Sequence, residues 1–110
     1  MRRSTIVFLA LLACLVLGRR AGATSYDVVA SVTVVEESSV PDLVSFQLSA
    51  GAGGCGTSTS PWFIWDGSNV ANHEASVQSV ASALLATMLS GRQVHFFFDD
   101  TCKGQHIHFE

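Results

Sequence analysis

Apolar residues between Asn69 and Phe109 change rhythm part-way along. Val77, Val80, Ala81, Leu84, Leu85, Met88 and Leu89 recur at helical spacing, which draws one stripe down an α-helix. Asn72 is placed to cap its start, and Glu74 sits where the helix dipole favours an anion. Gly91 follows the last apolar residue and suits the left-handed position that ends a helix, with Arg92 adding a cation. After Arg92 the rhythm shortens to alternation. Val94, Phe96 and Phe98 predict one face of a strand over Gln93 to Phe98, and Ile107 and Phe109 one face of another over Gln105 to Phe109. Both apolar sets are expected to face the core, with a turn at Asp99 to Gly104 between the strands.

Three further strands are predicted upstream. Tyr26 to Val35 is rich in β-branched residues, Leu43 to Leu48 sets Val44, Phe46 and Leu48 on one face, and Trp62-Phe63-Ile64-Trp65 is short and aromatic. Glu36 to Ser39 and Val40-Pro41-Asp42 read as the first turn. The Gly51 to Gly56 run lacks a following Gly-Lys-Ser/Thr and so is not a phosphate loop; it reads as a flexible connection carrying Cys55. The order is therefore β-β-β-α-β-β, a mainly β fold with one helix, matching the five-stranded OB barrel.

The amino terminus alters this picture. Arg2 and Arg3 precede an apolar run from Ile6 to Leu17, too short to span a bilayer, and Ala21-Gly22-Ala23 supplies small residues for cleavage. Residues 1–23 are expected to be a secretory signal peptide, leaving 24–110 as a single domain in a secreted or periplasmic protein. The rival is a lipoprotein signal ending at Cys14, against which the apolar run continues through Leu17. The whole chain of 110 residues carries a formal charge of −3. Arg2, Arg3, Arg19 and Arg20 leave with the leader, so the mature part sets Arg92 and Lys103 against nine acids, a balance of −7. That surface repels phosphate, which argues against nucleic acid and against anionic membranes as partners. Cys55 and Cys102 remain, and in a small exported domain they are expected to pair; a catalytic thiol assisted by histidine is the competing reading.

Candidate chemistry is of three kinds. In the third strand, alternation sets Trp62 and Ile64 on one face and Phe63 and Trp65 on the other. One indole would then be exposed near Asp66 and Asn69, an arrangement suited to stacking on sugar CH groups while carboxylate and amide take hydroxyls. The alternative is that both rings are buried. In the last two strands, His95, His106 and His108 share the face opposite the core, with His95 opposite His108 if Phe98 pairs with Gln105. Together they are candidate ligands for Zn²⁺ or Cu²⁺, a pH-responsive group, or solvated histidines. Finally, no charge lies between Glu74 and Arg92. The small face that includes Ser79, Ser82, Ala83 and Ala86 either meets another helix or is a weakly polar surface. No catalytic motif is visible: Gly-x-Ser-x-Gly and His-Glu-x-x-His are absent, and Asp99-Asp100 are adjacent in a turn. The chain is expected to be non-catalytic and free of cofactors.

Several of these residues carry a family likeness. Cys55, the strand with Trp62 and Trp65, Ser82-Ala83-Leu84-Leu85-Ala86, Ser90-Gly91-Arg92-Gln93-Val94 and Cys102 together span about half the chain. The segment resembles the pentamer-forming B subunits of bacterial AB-type toxins, of the subtilase-cytotoxin and typhoid-toxin kind. The resemblance implies an OB-fold, a ring of five with helices lining the pore, and binding to cell-surface glycans. It also raises a toxic A subunit as a partner, although many relatives of this kind stand alone. The sugar-contact residues of the family do not map onto numbered positions of this chain.

Overall fold

A computed structural model describes residues 25–110; the expected leader at residues 1–23 lies outside the described residues. The elements run in the expected order. Strand β1 covers Ser25–Glu36, β2 Val44–Leu48 and β3 Phe63–Trp65. Helix α1 covers His73–Ser90, and β4 Gln93–Asp99 and β5 Gly104–Phe109 complete the chain. The strands form one sheet in the order β3-β2-β1-β4-β5, every neighbouring pair antiparallel. Among the described residues the two edges of the sheet meet at one point only. Ile64 forms a parallel bridge with Lys103, and its N–H donates to the Cys102 carbonyl at 3.0 Å. Elsewhere along those edges the sheet is not closed, so the expected full barrel is reduced to a curled sheet with a one-residue seam.

The core is aromatic. Phe46, Phe63, Phe96 and Phe98 are fully buried. Phe96 meets Phe46 edge-on at 4.9 Å and Phe63 at 5.5 Å, while Phe63 meets Phe98 at 5.0 Å. Burying each ring contributes roughly 1.5–3 kcal/mol, and edge-to-face pairing adds about 0.5–1.5 kcal/mol per pair. Gly104 admits this packing. A Cβ there would lie 2.5 Å from Cε3 of Trp65 and 2.7 Å from Cε1 of Phe96, so only glycine lets β5 approach so closely.

Two strands depart from strict alternation. In β1 the core positions are Ala30 and Val32, flanked by Tyr26 and Val28, and then Val35. The phase changes because the pairing with β2 slips between Val32 and Val34, a β-bulge that turns Val34 outward and returns Val35 to the core. In β5 a second irregularity pairs Phe98 with Gly104 instead of the expected Gln105. From Phe97 and His106 onward the expected register holds, and His95 does lie opposite His108.

Helix α1 is capped as its sequence requires. The Asn72 side chain accepts from the Ala75 N–H at 3.4 Å, and Gly91 closes the helix in the left-handed conformation at φ 72°. Its buried stripe, however, is rotated from the expected one. Val77, Val80, Ala81 and Leu84 are buried as expected, but Thr87 joins them while Leu89 is 84% exposed. At about 100° per residue, Leu89 is about 120° around the helix from Val77. The reason lies in Trp65, whose indole N–H donates to the Ser76 hydroxyl at 3.0 Å. Turning the Ser76 and Thr87 side inward satisfies that buried donor, and Leu89 swings out. Phe109, also expected in the core, is 38% exposed at the last position of β5, where it lines a shallow depression with Ala86, Thr87 and Ser90 of the helix.

Cys55 and Cys102 are bonded across 5.7 Å between their Cα atoms. That spacing is ordinary for a disulfide. Both half-cystines are buried, and such a bond belongs to an oxidising, non-cytoplasmic compartment. Among the described residues no helix is long and apolar enough to cross a membrane.

Candidate functional site

The expected sugar platform is divided by the structure. Trp65 is only 6% exposed and belongs to the core, so it offers no face for stacking. Trp62 is 37% exposed. It precedes β3 directly, and β3 pairs with β2 so that Ile64 opposes Ser45 and Phe63 opposes Phe46. Continued by one residue, that register would set Trp62 alongside Gln47, which is itself paired with Val34 of β1. The exposed indole thus directly precedes the strand that neighbours β2, whose half-buried face carries Ser45 and Gln47. The neighbourhood of Gln47, Ser45 and Val34 was not legible because the register that gathers them is set by contacts distant in sequence.

Asp66 and Asn69 serve the loop that follows β3. One Asp66 oxygen accepts the Ser68 N–H at 3.0 Å, and the other lies 3.3 Å from the Lys103 ammonium. Partial burial pushes this carboxyl up. Hydrogen bonds from Ser68 and the bond and charge of Lys103 outweigh it, so Asp66 is held below the ordinary carboxylate range. The Asn69 amide donates to the Gln105 carbonyl at 2.6 Å. Both side chains thus pin the loop to the start of β5.

The histidines lie on another part of the sheet, on the outward face of β4 and β5. His95 Nε2 lies 2.8 Å from Asp27 Oδ2, and its ring stacks on Phe97 with centroids 4.2 Å apart. Nε2 of His106 meets Nε2 of His108. Two of the three histidines thus meet through Nε2, while His95, whose ring centroid lies 6.4 Å from that of His108, turns its Nε2 to Asp27. Among the described residues no three His, Cys, Asp or Glu side chains converge as a metal cage. Asp27 was missed because only the β1–β4 register, with Asp27 opposite Phe97, carries it to this face.

The outward face of α1 bears Ser79, Ser82 and Ala86 exposed and Ala83 half-buried. Ala75, Gln78, Ser79, Ser82 and Ala83 line an open, shallow depression there. Among the described residues every buried side-chain nitrogen or oxygen has a hydrogen-bond partner.

Comparison with known proteins returns no match: no protein family, no curated protein and no solved structure corresponds to this chain.

Proposed function

We propose that the chain is an exported, non-catalytic module of OB type that binds a glycan. The observation that carries the reading is the exposed Trp62 indole, one residue before β3, next to a strand whose half-buried face bears Ser45 and Gln47. Sugar rings present CH faces that stack on an indole, and their hydroxyls take amide and hydroxyl partners. The strand order supports the OB part. Strands β2 and β4 flank β1, the helix lies between β3 and β4 in sequence, and the Ile64–Lys103 bridge brings the sheet edges together. The resemblance to toxin B subunits supports it from the sequence side, and the reading needs no toxic companion subunit. Two basic residues against nine acids among residues 25–110 disfavour nucleic acid.

A glycan array probed with the folded protein tests this. Wild type is expected to bind at least one glycan class, and Trp62→Ala to weaken that binding by roughly 10- to 100-fold, as loss of an aromatic anchor does. Trp65→Ala is expected instead to damage the fold. A folded wild type that binds no glycan, or a Trp62→Ala variant that binds as well as wild type, overturns the proposal.

A further inference from the structure

The outward face of β1, β4 and β5 holds a group of imidazoles that the glycan reading leaves unused. Register lays it out as a grid, with Asp27 beside Phe97 beside His106, and Val29 beside His95 beside His108. No lysine or arginine occupies any of these positions, so among the described residues none sets a fixed positive charge within this grid. His106 and His108 are exposed, and each turns Nε2 toward the other. Strand geometry dictates the pairing, because residues two apart project from the same face. The His95 ring neighbours His108, with centroids 6.4 Å apart, but its Nε2 is bonded to Asp27 and its ring stacks on Phe97.

We propose that His106 and His108 form a two-imidazole chelate for a divalent transition metal, with Cu²⁺ the ion that fits best. Imidazole nitrogen suits copper, nickel and zinc, and Cu²⁺ heads the affinity order for a given nitrogen and oxygen site. A structural zinc site needs four tetrahedral ligands, and no third His, Cys, Asp or Glu joins this pair among the described residues. Tetragonal Cu²⁺ is content with two adjacent nitrogens and water in its remaining positions. The exchange balances without an oxidant or reductant. The proton shared between the two Nε2 atoms passes through solvent to Nδ1 of the ring that carried it. Both Nε2 lone pairs then face the metal, and two waters leave the aqua ion.

The test is titration of the purified protein with Cu²⁺ in a non-coordinating buffer, followed by calorimetry and electron paramagnetic resonance. Wild type is expected to take one Cu²⁺ at this site, with hyperfine splitting from two imidazole nitrogens. The double variant His106→Asn/His108→Asn supplies the baseline for any copper held by the chain's amino terminus. Either single variant is expected to weaken binding by at least the roughly 10- to 100-fold that loss of an outer-shell partner causes. His95→Asn is expected to leave it unchanged. Because both β5 histidines are exposed, the variants are expected to keep the wild-type circular dichroism. Wild-type affinity no tighter than the double variant's, or a loss in His95→Asn as large as in His108→Asn, overturns the proposal.

Discussion

Asp99 organises the β4–β5 turn through a single side chain. Its Oδ1 accepts the Thr101 N–H at 2.9 Å, the Thr101 hydroxyl and the Lys103 N–H at 3.1 Å, and its Oδ2 accepts from Gln105 at 3.2 Å. These bonds hold the chain where Cys102 takes a positive φ of 66°, unusual for any residue but glycine. Asp99→Ala is expected to lower stability by about 1–3 kcal/mol, read from the urea midpoint. A midpoint unchanged from wild type would show that the turn is held by the disulfide alone. The pH dependence has a definite sign. Partial burial pushes the Asp99 carboxyl up, but the bonds from Thr101 and Lys103, with the Lys103 charge, outweigh it and hold the carboxyl below its ordinary value. A depressed carboxylate contributes stability that is present above its unfolded value, about pH 4, and lost as pH falls through the folded one. Asp66 acts in the same direction, so acid unfolding of wild type is expected to begin below about pH 4, and to be shallower in Asp99→Ala.

At the scale of elements, α1 shows what periodicity reveals and where it fails. The caps at Asn72 and Gly91 and the stripe through Val77 and Leu84 were legible because they depend on spacing of three and four. The rotation that buries Thr87 and exposes Leu89 was not, because it is set by a hydrogen bond from Trp65 on another element. The strands divide in the same way. Val44, Phe46 and Leu48 alternate into the core as expected, whereas the phase change in β1 has no local signal in a run of β-branched residues. Trp62 and Trp65 differ in burial, and alternation alone does not say which of the two is buried. The exposed side of α1 carries a further expectation. If its small residues meet a neighbouring copy, light scattering is expected to give an oligomer for wild type, and Ala86→Arg to reduce its mass. A wild type that is monomeric at high concentration ends that expectation.

For the whole molecule, the disulfide and the seam lie at the same place. Cys102 is bonded to Cys55, its carbonyl accepts the Ile64 N–H, and the next residue, Lys103, bridges Ile64 and pairs with Asp66. One short stretch therefore joins the glycine-rich loop, β3 and the β4–β5 turn. The bridge spans a sequence separation of 47. A chain-entropy treatment gives such a link about 4 kcal/mol, comparable with the net stability of many small domains. Cys55→Ser/Cys102→Ser is accordingly expected to lose about 2–5 kcal/mol in denaturant unfolding. Loss of less than about 1 kcal/mol would mean that the aromatic core suffices without the link.

The irregularity in β1 has a consequence for how this chain can vary in length. Before it, the inward side chains stand at even-numbered positions, through Val32; after it, they resume at the odd-numbered Val35. Dropping one residue at Thr33 or Val34 would restore unbroken alternation and leave every inward side chain inward. The same loss a few residues earlier, at Val29, would turn one part of the strand inside out relative to the other. A sister sequence shorter by one residue would most easily lack it there.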